Sequence, residues 1–390
     1  MTRLPVLAVS AFAAGVAVIA AAPSSFAATP AAGSPAASRA VFVQTDDLEQ
    51  NSVVAFTRGA DGQLDRVGEF RTGGRGGVER DVPLDSLASQ DSLTYDPAHQ
   101  LLFAVNAGSN TVTSFVVHGA RLIRVQTVPS GGVFPVSVAA GNNRLYVLNA
   151  GGSGNVTGYK INPAGRLARL PHASRDLGLG NDSRPEFITA PADIAQTPDG
   201  DHVIVTTKAN NTLDVFPVGE GGGLSAPVRN AAAADVPFAL SFDTTGRLVV
   251  ANAGSSSVST YAVRKNGTLE TITAAVEDGQ AALCWLVGTG STFFGGNAGS
   301  STISAFAVDA AGTASLTGSP DGVVAHTGGG SGGTIDLAVT ADERFLYVEN
   351  SFAGNVEGYR IHADHTLELV STATGLPQFD GHGMEGLVAL

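Results

Sequence analysis

The sequence predicts an all-β protein, a seven-bladed β-propeller made of four-stranded antiparallel blades. The main observation is a pattern that occurs seven times between residue 41 and the C-terminus: a β-rich run, a polar turn and a second run. Repeats of this length are typical of propeller blades. The second observation is the glycine content, 49 of 390 residues, which suits a protein made of tight turns. The residues that mark the central turn of the seven copies are Thr45, Asn106, Asn149, Thr207, Asn252, Asn297 and Asn350.

The fourth copy illustrates how one blade is divided into strands. We expect an inner strand A at ADIAQT (192–197), strand B at HVIVTTK (202–208), strand C at TLDVFPV (212–218) and an outer strand D at LSAPV (224–228). The segments between them are rich in Pro, Asp, Asn and Gly, the residues that hairpin turns require. The same order of strands and turns applies to the other copies.

The two ends of the chain predict how the ring closes. The first copy begins with a B-type strand, VFVQT (41–45), and has no inner strand before it. The C-terminal segment GMEGLVAL (383–390) has the pattern of an inner strand. We therefore assign it to blade 1, because joining both ends in one blade removes unpaired sheet edges.

The N-terminus has the features of an export signal. Arg3 precedes an apolar run from Leu7 to Ala22, and small residues lead up to a cleavage position after Ala27. Residues 1–27 are therefore interpreted as a signal peptide, residues 28–39 as a disordered linker, and residues 40–390 as the propeller. The mature protein is predicted to be secreted and extracellular.

Composition excludes several classes of partner and cofactor. The net charge of −13 disfavours nucleic acid and an anionic membrane surface. We expect no membrane association after signal removal, because no second apolar span of about 20 residues follows. The single cysteine, Cys284, cannot form an internal disulfide. No phosphate-binding loop, zinc motif or dinucleotide fingerprint is present, so no cofactor and no metal are predicted. The protein is expected to be a monomer.

Three long insertions are predicted to lie on one face of the ring. They cover about residues 72–90, 171–190 and 320–334, each between a D strand and the next A strand. In a propeller these crossovers lie on the same face as the B–C turns and the channel mouth. Long loops on one face of a rigid scaffold are common places for binding and catalysis.

The charged residues of the insertions are the first candidates for a site. Arginine could clamp a carboxylate while Glu or His moves a proton, so we expect a small lactone or carboxylate as ligand. The alternative is that these are solvated loop charges that form minor surface pairs. The candidate catalytic residues are Glu186, Arg175 and Arg184 of the second insertion and His382 beside the C-terminal segment. The candidate substrate-binding residues include Arg75 of the first insertion and Glu385 of the C-terminal segment.

Asp193 and Asp336 are two further candidates for substrate binding. They occupy equivalent positions near the start of their inner strands. Carboxylates that line a narrow channel could bind a cation or act as bases. Equally, they could cap backbone amides of the neighbouring crossover.

The repeats resemble the lactonase-type seven-bladed propellers, which include 6-phosphogluconolactonase-like proteins, carboxymuconate cyclases and surface-layer propellers. The resemblance rests on LYVLNAGGSGNVTGY (145–159), on FLYVENSFAGNVEGYRI (345–361) and on PADIAQTPDG (191–200), and it covers roughly residues 41–390. It implies hydrolysis or formation of a lactone ring. The His-x-His pair that family members often carry is replaced here by Ala190 and Ala192, so a histidine mechanism at this position is not implied.

An exported protein would meet a lactone other than a phosphorylated sugar. A non-catalytic propeller that binds a cell-wall polymer, a peptide or a protein is the alternative.

Overall fold

The computed structural model describes residues 1–2, 39–381 and 384–390, and the propeller lies within residues 37–390. The predicted signal peptide (1–27), apart from its first two residues, lies outside the described residues. The predicted linker (28–39) also lies outside them except for Arg39, whose carbonyl accepts a hydrogen bond from the Arg58 amide at 2.9 Å. Both segments remain predictions. No helix in the described part of the chain is long and apolar enough to cross a membrane.

Seven antiparallel sheets form the ring, as predicted. Blade 1 begins with β1 (Ala40–Gln44), β2 (Ser52–Arg58) and β3 (Leu64–Arg71). Blade 2 contains β4 (Leu93–Asp96), β5 (Leu101–Asn106), β6 (Thr111–His118) and β7 (Arg121–Pro129). Blade 3 contains β8 (Pro135–Gly141), β9 (Arg144–Asn149), β10 (Asn155–Ile161) and β11 (Leu167–Asp176). Blade 4 contains β12 (Pro191–Gln196), β13 (His202–Thr207), β14 (Thr212–Pro217) and β15 (Val228–Ala231).

The remaining blades follow the same order. Blade 5 contains β16 (Pro237–Phe242), β17 (Leu248–Asn252), β18 (Ser257–Val263) and β19 (Leu269–Glu277). Blade 6 contains β20 (Leu283–Thr289), β21 (Thr292–Asn297), β22 (Thr302–Val308), β23 (Ala314–Thr317) and β24 (Val323–His326). Blade 7 contains β25 (Thr334–Val339), β26 (Phe345–Asn350), β27 (Asn355–Ile361) and β28 (Leu367–Thr374), and β29 (Leu387–Ala389) returns to blade 1. The described helices are single 3₁₀ turns: Ala107–Ser109, Glu220–Gly222, Thr327–Gly330 and Phe379–Gly381.

The repeated asparagine stabilises the hairpin between strands B and C. The Asn106 side-chain amide donates to the hydroxyls of Thr111 and Thr113, at 3.1 and 3.0 Å. The Asn297 amide makes the same two bonds to Thr302 and Ser304. Each neutral hydrogen bond contributes about 0.5–1.5 kcal/mol. The spacing Asn-x4-Thr/Ser-x-Thr/Ser therefore encodes a turn, and it explains why the pattern recurs.

The C-terminal strand closes the ring, as predicted. β29 pairs with β1 with Phe42 opposite Val388, and the Leu390 amide donates to the Ala40 carbonyl at 2.8 Å. The buried Arg58 guanidinium adds contacts to the Leu390 carbonyl at 3.2 Å and to the Asp342 carboxylate at 3.3 Å. The two ends of the propeller therefore pair within blade 1, and the Arg58–Asp342 ion pair joins blade 1 to blade 7.

Two details differ from the sequence prediction. The outer strand of blade 4 is Val228–Ala231 and not 224–228; Pro227 lacks an amide hydrogen, so it cannot donate to the ladder. Part of the third insertion, Val323–His326, forms β24, which pairs with β22 beyond the short β23. The outer edge of blade 6 is thus built from two strand segments.

Candidate active site at the channel mouth

The first insertion enters the central channel and blocks its mouth. We call residues 84–90 the plug. The Trp285 indole N–H donates to the Ser89 carbonyl at 2.9 Å, and the Gln90 side chain accepts from the Leu286 amide at 2.9 Å. The same Gln90 side chain donates to the Leu240 carbonyl at 3.3 Å. The plug is therefore bonded to inner strands on the far side of the ring.

A cavity of about 280 Å³ lies beside the plug. Its walls combine Phe187 and Ile188 of the second insertion, Leu84 of the plug, and Phe238 and Trp285 of the inner strands β16 and β20. The Phe238 and Trp285 rings meet edge to face, with centroids 5.2 Å apart. The polar side chains in the lining are those of Asp85 and Cys284. We call this cavity the mouth pocket.

Lys208 lies beneath the aromatic wall of the mouth pocket. Its ammonium group donates to the Ala88 carbonyl at 3.0 Å and packs 4.7 Å from the centre of the Phe187 ring. The Glu79 carboxylate lies 3.9 Å away, and both side chains are fully buried. Burial lowers the pKa of Lys208, and neighbouring carboxylates, Glu79 first, oppose that shift. The Lys208 ammonium group therefore supplies the positive charge that partly balances the neighbouring carboxylates.

Five buried carboxyl groups surround the plug. Burial raises the pKa of every one of them, and Asp85 is a charged neighbour of the other four. So many carboxylates cannot all be ionised in a dry environment beside one ammonium group. We call them the carboxyl cluster: Asp46, Glu79, Asp85, Glu349 and Glu385.

Asp85 and Glu385 are neighbouring carboxyl groups within this cluster, and the Leu87 amide donates to both of them. Burial raises the pKa of both groups, and their mutual interaction then lowers the pKa of Asp85 and raises that of Glu385 further. Asp85 also accepts the amides of Leu87 and Ala88, both at 3.0 Å. These bonds favour the charged form of Asp85. Of the two groups, Asp85 therefore ionises more readily, and it is the one in the wall of the mouth pocket.

Asp193 and Asp336 lie deeper in the channel and bridge neighbouring blades. Asp193 accepts the Leu240 amide of the next blade at 2.8 Å. Asp336 accepts the Leu387 amide of the next blade at 2.7 Å. Each also accepts the amide of the residue that follows it. Both carboxyl groups thus cap amides of inner strands and not of crossovers, and their predicted roles in substrate binding remain predictions.

Asp91 lies below the plug in a channel cavity of about 360 Å³. Burial raises the pKa of Asp91 to about 7. Its charge also raises the pKa of Asp193 and Asp336, after the larger effect of their own burial. The channel thus has three interacting carboxyl groups on the side of the plug away from the mouth.

The arginines predicted for the site donate to backbone carbonyls of the protein itself, and of the three only Arg184 joins the second insertion to the first. The Arg184 guanidinium donates to the carbonyls of Val78 and Glu79, the latter at 3.2 Å. The Arg75 guanidinium donates to the Gly108 carbonyl at 3.3 Å, and that of Arg175 to the Ser174 carbonyl at 2.8 Å.

Glu186 is paired with Arg80 at 3.0 Å, and Arg80 also reaches Asp182 at 2.9 Å. Neither Glu186 nor any of the three predicted arginines is part of the pocket lining described above. The catalytic role of Glu186 therefore remains a prediction, as do the ligand-binding roles of Arg75, Arg175 and Arg184. Arg184 does line a separate, open cleft of about 540 Å³ between blades 1 and 3.

Of the two candidates in or beside the C-terminal segment, the structure describes Glu385. His382 lies outside the described residues, so its role remains a prediction. Glu385 lies in the carboxyl cluster, only 2% exposed. Its carboxyl group accepts the Leu87 amide of the plug at 3.3 Å.

Sequence reasoning did not single out Asp85 or Lys208. Lys208 had a visible signal, because it follows the marker Thr207 where four other copies have alanine after their marker asparagine. Those four alanines are Ala107, Ala150, Ala253 and Ala298. Asp85 had no comparable signal, since it is one of several charges in an insertion without a repeat counterpart.

Comparison with known families supports the lactonase-type resemblance. The family model described as "Lactonase, 7-bladed beta-propeller" matches residues 178–287. That stretch contains Phe187, Lys208, Phe238 and Trp285 of the candidate site. No curated protein sequence matches the chain with significance.

Solved structures with the same fold cover nearly the whole chain. A protein of Lactobacillus plantarum aligns with a TM-score of 0.68 at 18% identity, covering 90% of this chain and 99% of that one. A putative 6-phosphogluconolactonase of Bacteroides fragilis aligns with a TM-score of 0.65 at 14% identity, covering 91% and 98%. The periplasmic gluconolactonase of Pseudomonas aeruginosa aligns with a TM-score of 0.65 at 18% identity, covering 87% and 97%.

The chain is therefore a seven-bladed propeller, and the predicted resemblance to lactonase-type propellers is confirmed by the family model over residues 178–287. At these identities the structural matches establish the fold, and the family model supplies the link to lactonases.

Proposed function

We propose that this protein hydrolyses or forms a lactone ring in the mouth pocket, with Asp85 as its general base. The observation that supports this most directly is the Asp85–Glu385 pair at the wall of an apolar pocket, next to Lys208. Active-site carboxyl groups commonly have raised pKa values near the working pH, where they can both accept and return protons. We also propose that the protein acts outside the cell as a monomer, in keeping with its N-terminal signal features.

Hydrolysis would proceed by attack of water on the ring carbonyl carbon. The Asp85 carboxylate takes a proton from the attacking water, and the new C–O bond forms a tetrahedral oxyanion. The charge of the Lys208 ammonium group lowers the pKa of Asp85 and so favours the carboxylate that accepts this proton. The ring C–O bond then breaks, and the proton held by Asp85 passes to the leaving alkoxide, which gives the hydroxy acid. Glu385 keeps its own proton and stabilises the charged form of Asp85 before attack. Ring formation is the reverse sequence.

Replacement of Asp85 tests this assignment. Asp85→Asn preserves the shape of the side chain and removes the base, so we expect kcat on a responsive lactone to fall about 100- to 10,000-fold. KM should change little. The measurement is acid release in a pH-stat across a panel of lactones, with circular dichroism to confirm folding.

Two further variants make the result specific. Glu49→Gln removes an exposed carboxylate on the same face and should leave kcat unchanged. Glu186→Gln tests the proton carrier that the sequence alone suggested. Full activity in Asp85→Asn together with loss in Glu186→Gln would move the catalytic centre to the rim and overturn our assignment.

The non-catalytic alternative has one specific observation in its favour. The cleft of about 540 Å³ is open, and its lining combines Leu48 and Phe134 with the exposed Arg184. Such a surface suits a peptide or an acidic polymer. An absence of turnover across the whole lactone panel, with wild-type behaviour of Asp85→Asn, would favour this binding function.

A further inference from the structure

We infer that the mouth pocket selects lactones with an apolar substituent over sugar lactones and phosphorylated lactones. This inference rests on the proposed function and concerns the substrate class of the same site. Its basis is the chemistry of the lining and the position of the charges around it.

The lining offers almost no partner for a hydroxyl group. Three aromatic rings, Phe187, Phe238 and Trp285, form the walls together with aliphatic side chains from the plug and the second insertion. The Trp285 indole N–H is already bonded to the Ser89 carbonyl. A sugar lactone would exchange hydrogen bonds with water for contacts with carbon, which disfavours its binding. An alkyl or aryl substituent would gain from the same contacts.

Charge also disfavours an anionic substituent in this pocket. The carboxyl cluster, with Asp85 in the pocket wall, lies behind the lining. Lys208 is 1% exposed, is bonded to the Ala88 carbonyl and is covered by Phe187. Its charge is therefore directed toward the cluster. A phosphate in the pocket would meet carboxyl groups before it met an ammonium group.

The rim of the pocket is also apolar. Ile188 lines the pocket and is 40% exposed, so it is accessible from solvent. The cavity of about 280 Å³ compares with roughly 30 Å³ for one water molecule in the liquid. It can thus accommodate a five-membered ring with a short chain.

A series of γ-lactones with methyl, butyl and hexyl substituents tests this inference, with glucono-δ-lactone as the polar reference. Each buried methylene should raise kcat/KM about fourfold until the cavity is full. We expect the butyl compound to exceed glucono-δ-lactone at least 100-fold. A higher kcat/KM for glucono-δ-lactone than for every alkyl lactone would overturn the inference and leave the proposed function intact.

Binding can be measured without turnover, because Trp285 is the single tryptophan of the chain and lines the pocket. Titration with the butyl lactone should change the tryptophan emission in both the wild type and Asp85→Asn. A saturable change without hydrolysis of any lactone would support the apolar pocket and contradict the proposed catalysis. No change and no hydrolysis would reject both.

A matched pair of variants links the preference to this pocket. Ile188→Asp places a charge at the rim and should weaken binding of the butyl lactone at least tenfold. Ile123→Asp makes the same change at a residue of β7 that is 56% exposed and outside the pocket lining, and it should have no effect. Equal affinity in the two variants would contradict the inference.

Discussion

At the scale of single residues, Glu349 shows how burial in the ring changes the pKa of an acidic side chain. The side chain is fully buried at the end of β26, and neither carboxyl oxygen accepts a hydrogen bond from the described residues. Burial raises its pKa well above the ordinary 4.5, and the negative charges of Asp336 and Asp85 raise it further. In the folded protein, Glu349 therefore keeps its proton at pH values where the unfolded chain has lost it.

This shift gives a stability prediction with a definite sign. Above about pH 4.5 the folded state binds more protons than the unfolded state, so this residue destabilises the protein as pH rises. Glu349→Gln removes the titration and should raise the free energy of unfolding at pH 8 above that of the wild type. The difference from wild type should shrink toward pH 4.5.

Urea unfolding at both pH values measures this effect. Glu49→Gln serves as the control, because Glu49 is exposed and should show no such pH-dependent difference. A variant that is less stable than wild type at pH 8 would show that Glu349 is held by a favourable interaction.

The residue scale is also where the sequence was least informative. Lys208 meets Ala88 across 120 positions of the chain, and Trp285 meets Ser89 across 196. Neither contact belongs to a local pattern. Burial of Asp85 depends on how an irregular insertion packs against four other blades. The sequence of that insertion has no periodic pattern from which this packing could be predicted. Glu385 could be placed near the mouth only because its segment was assigned to a strand.

At the scale of elements, the inner strands are joined by carboxyl groups. Asp193 in β12 and Asp336 in β25 each accept one amide from the next inner strand and one from their own. The bond from Leu387 to Asp336 involves the start of the closing strand β29. These residues therefore connect blades that share no backbone ladder.

Removal of one such carboxyl group tests its structural role. Asp336→Ala leaves the buried amides of Leu337 and Leu387 without an acceptor, so we expect the free energy of unfolding to fall by about 2–3 kcal/mol. Chemical denaturation measures the loss. Asp65→Ala changes an exposed residue of β3 and should leave stability within about 0.5 kcal/mol of wild type. A stable Asp336→Ala protein that had lost kcat alone would instead favour the predicted contact with substrate.

Strands were predictable where the signal was local. The B and C strands follow from the repeated β-rich runs and the turn residues between them, and the structure contains all of them. The blade 4 outer strand was misplaced because Pro227 interrupts the ladder beside an apolar run. β24 was missed because its pairing with β22 follows a glycine-rich turn with no repeat counterpart.

At the scale of the whole molecule, ring closure depends on the C-terminus. β29 pairs with β1, and the Arg58 guanidinium is bonded to the Leu390 carbonyl. Deletion of residues 383–390 should therefore prevent formation of soluble, cooperatively melting protein, because it exposes the edge of β1. Solubility on expression and calorimetric melting of any soluble fraction measure this. A truncated chain that folds and melts normally would contradict the closure.

The plug has a consequence for how this chain acquires its structure. A repeat array with only nearest-neighbour contacts can grow from any unit and tolerates partial order. Here a segment from between the first two blades must find partners on the fourth, fifth and sixth, which are synthesised much later. Contacts of such sequence separation slow folding, so the final step should be a late docking that locks an already assembled circle. Release of the plug would then be the first step both of opening of the mouth and of global unfolding.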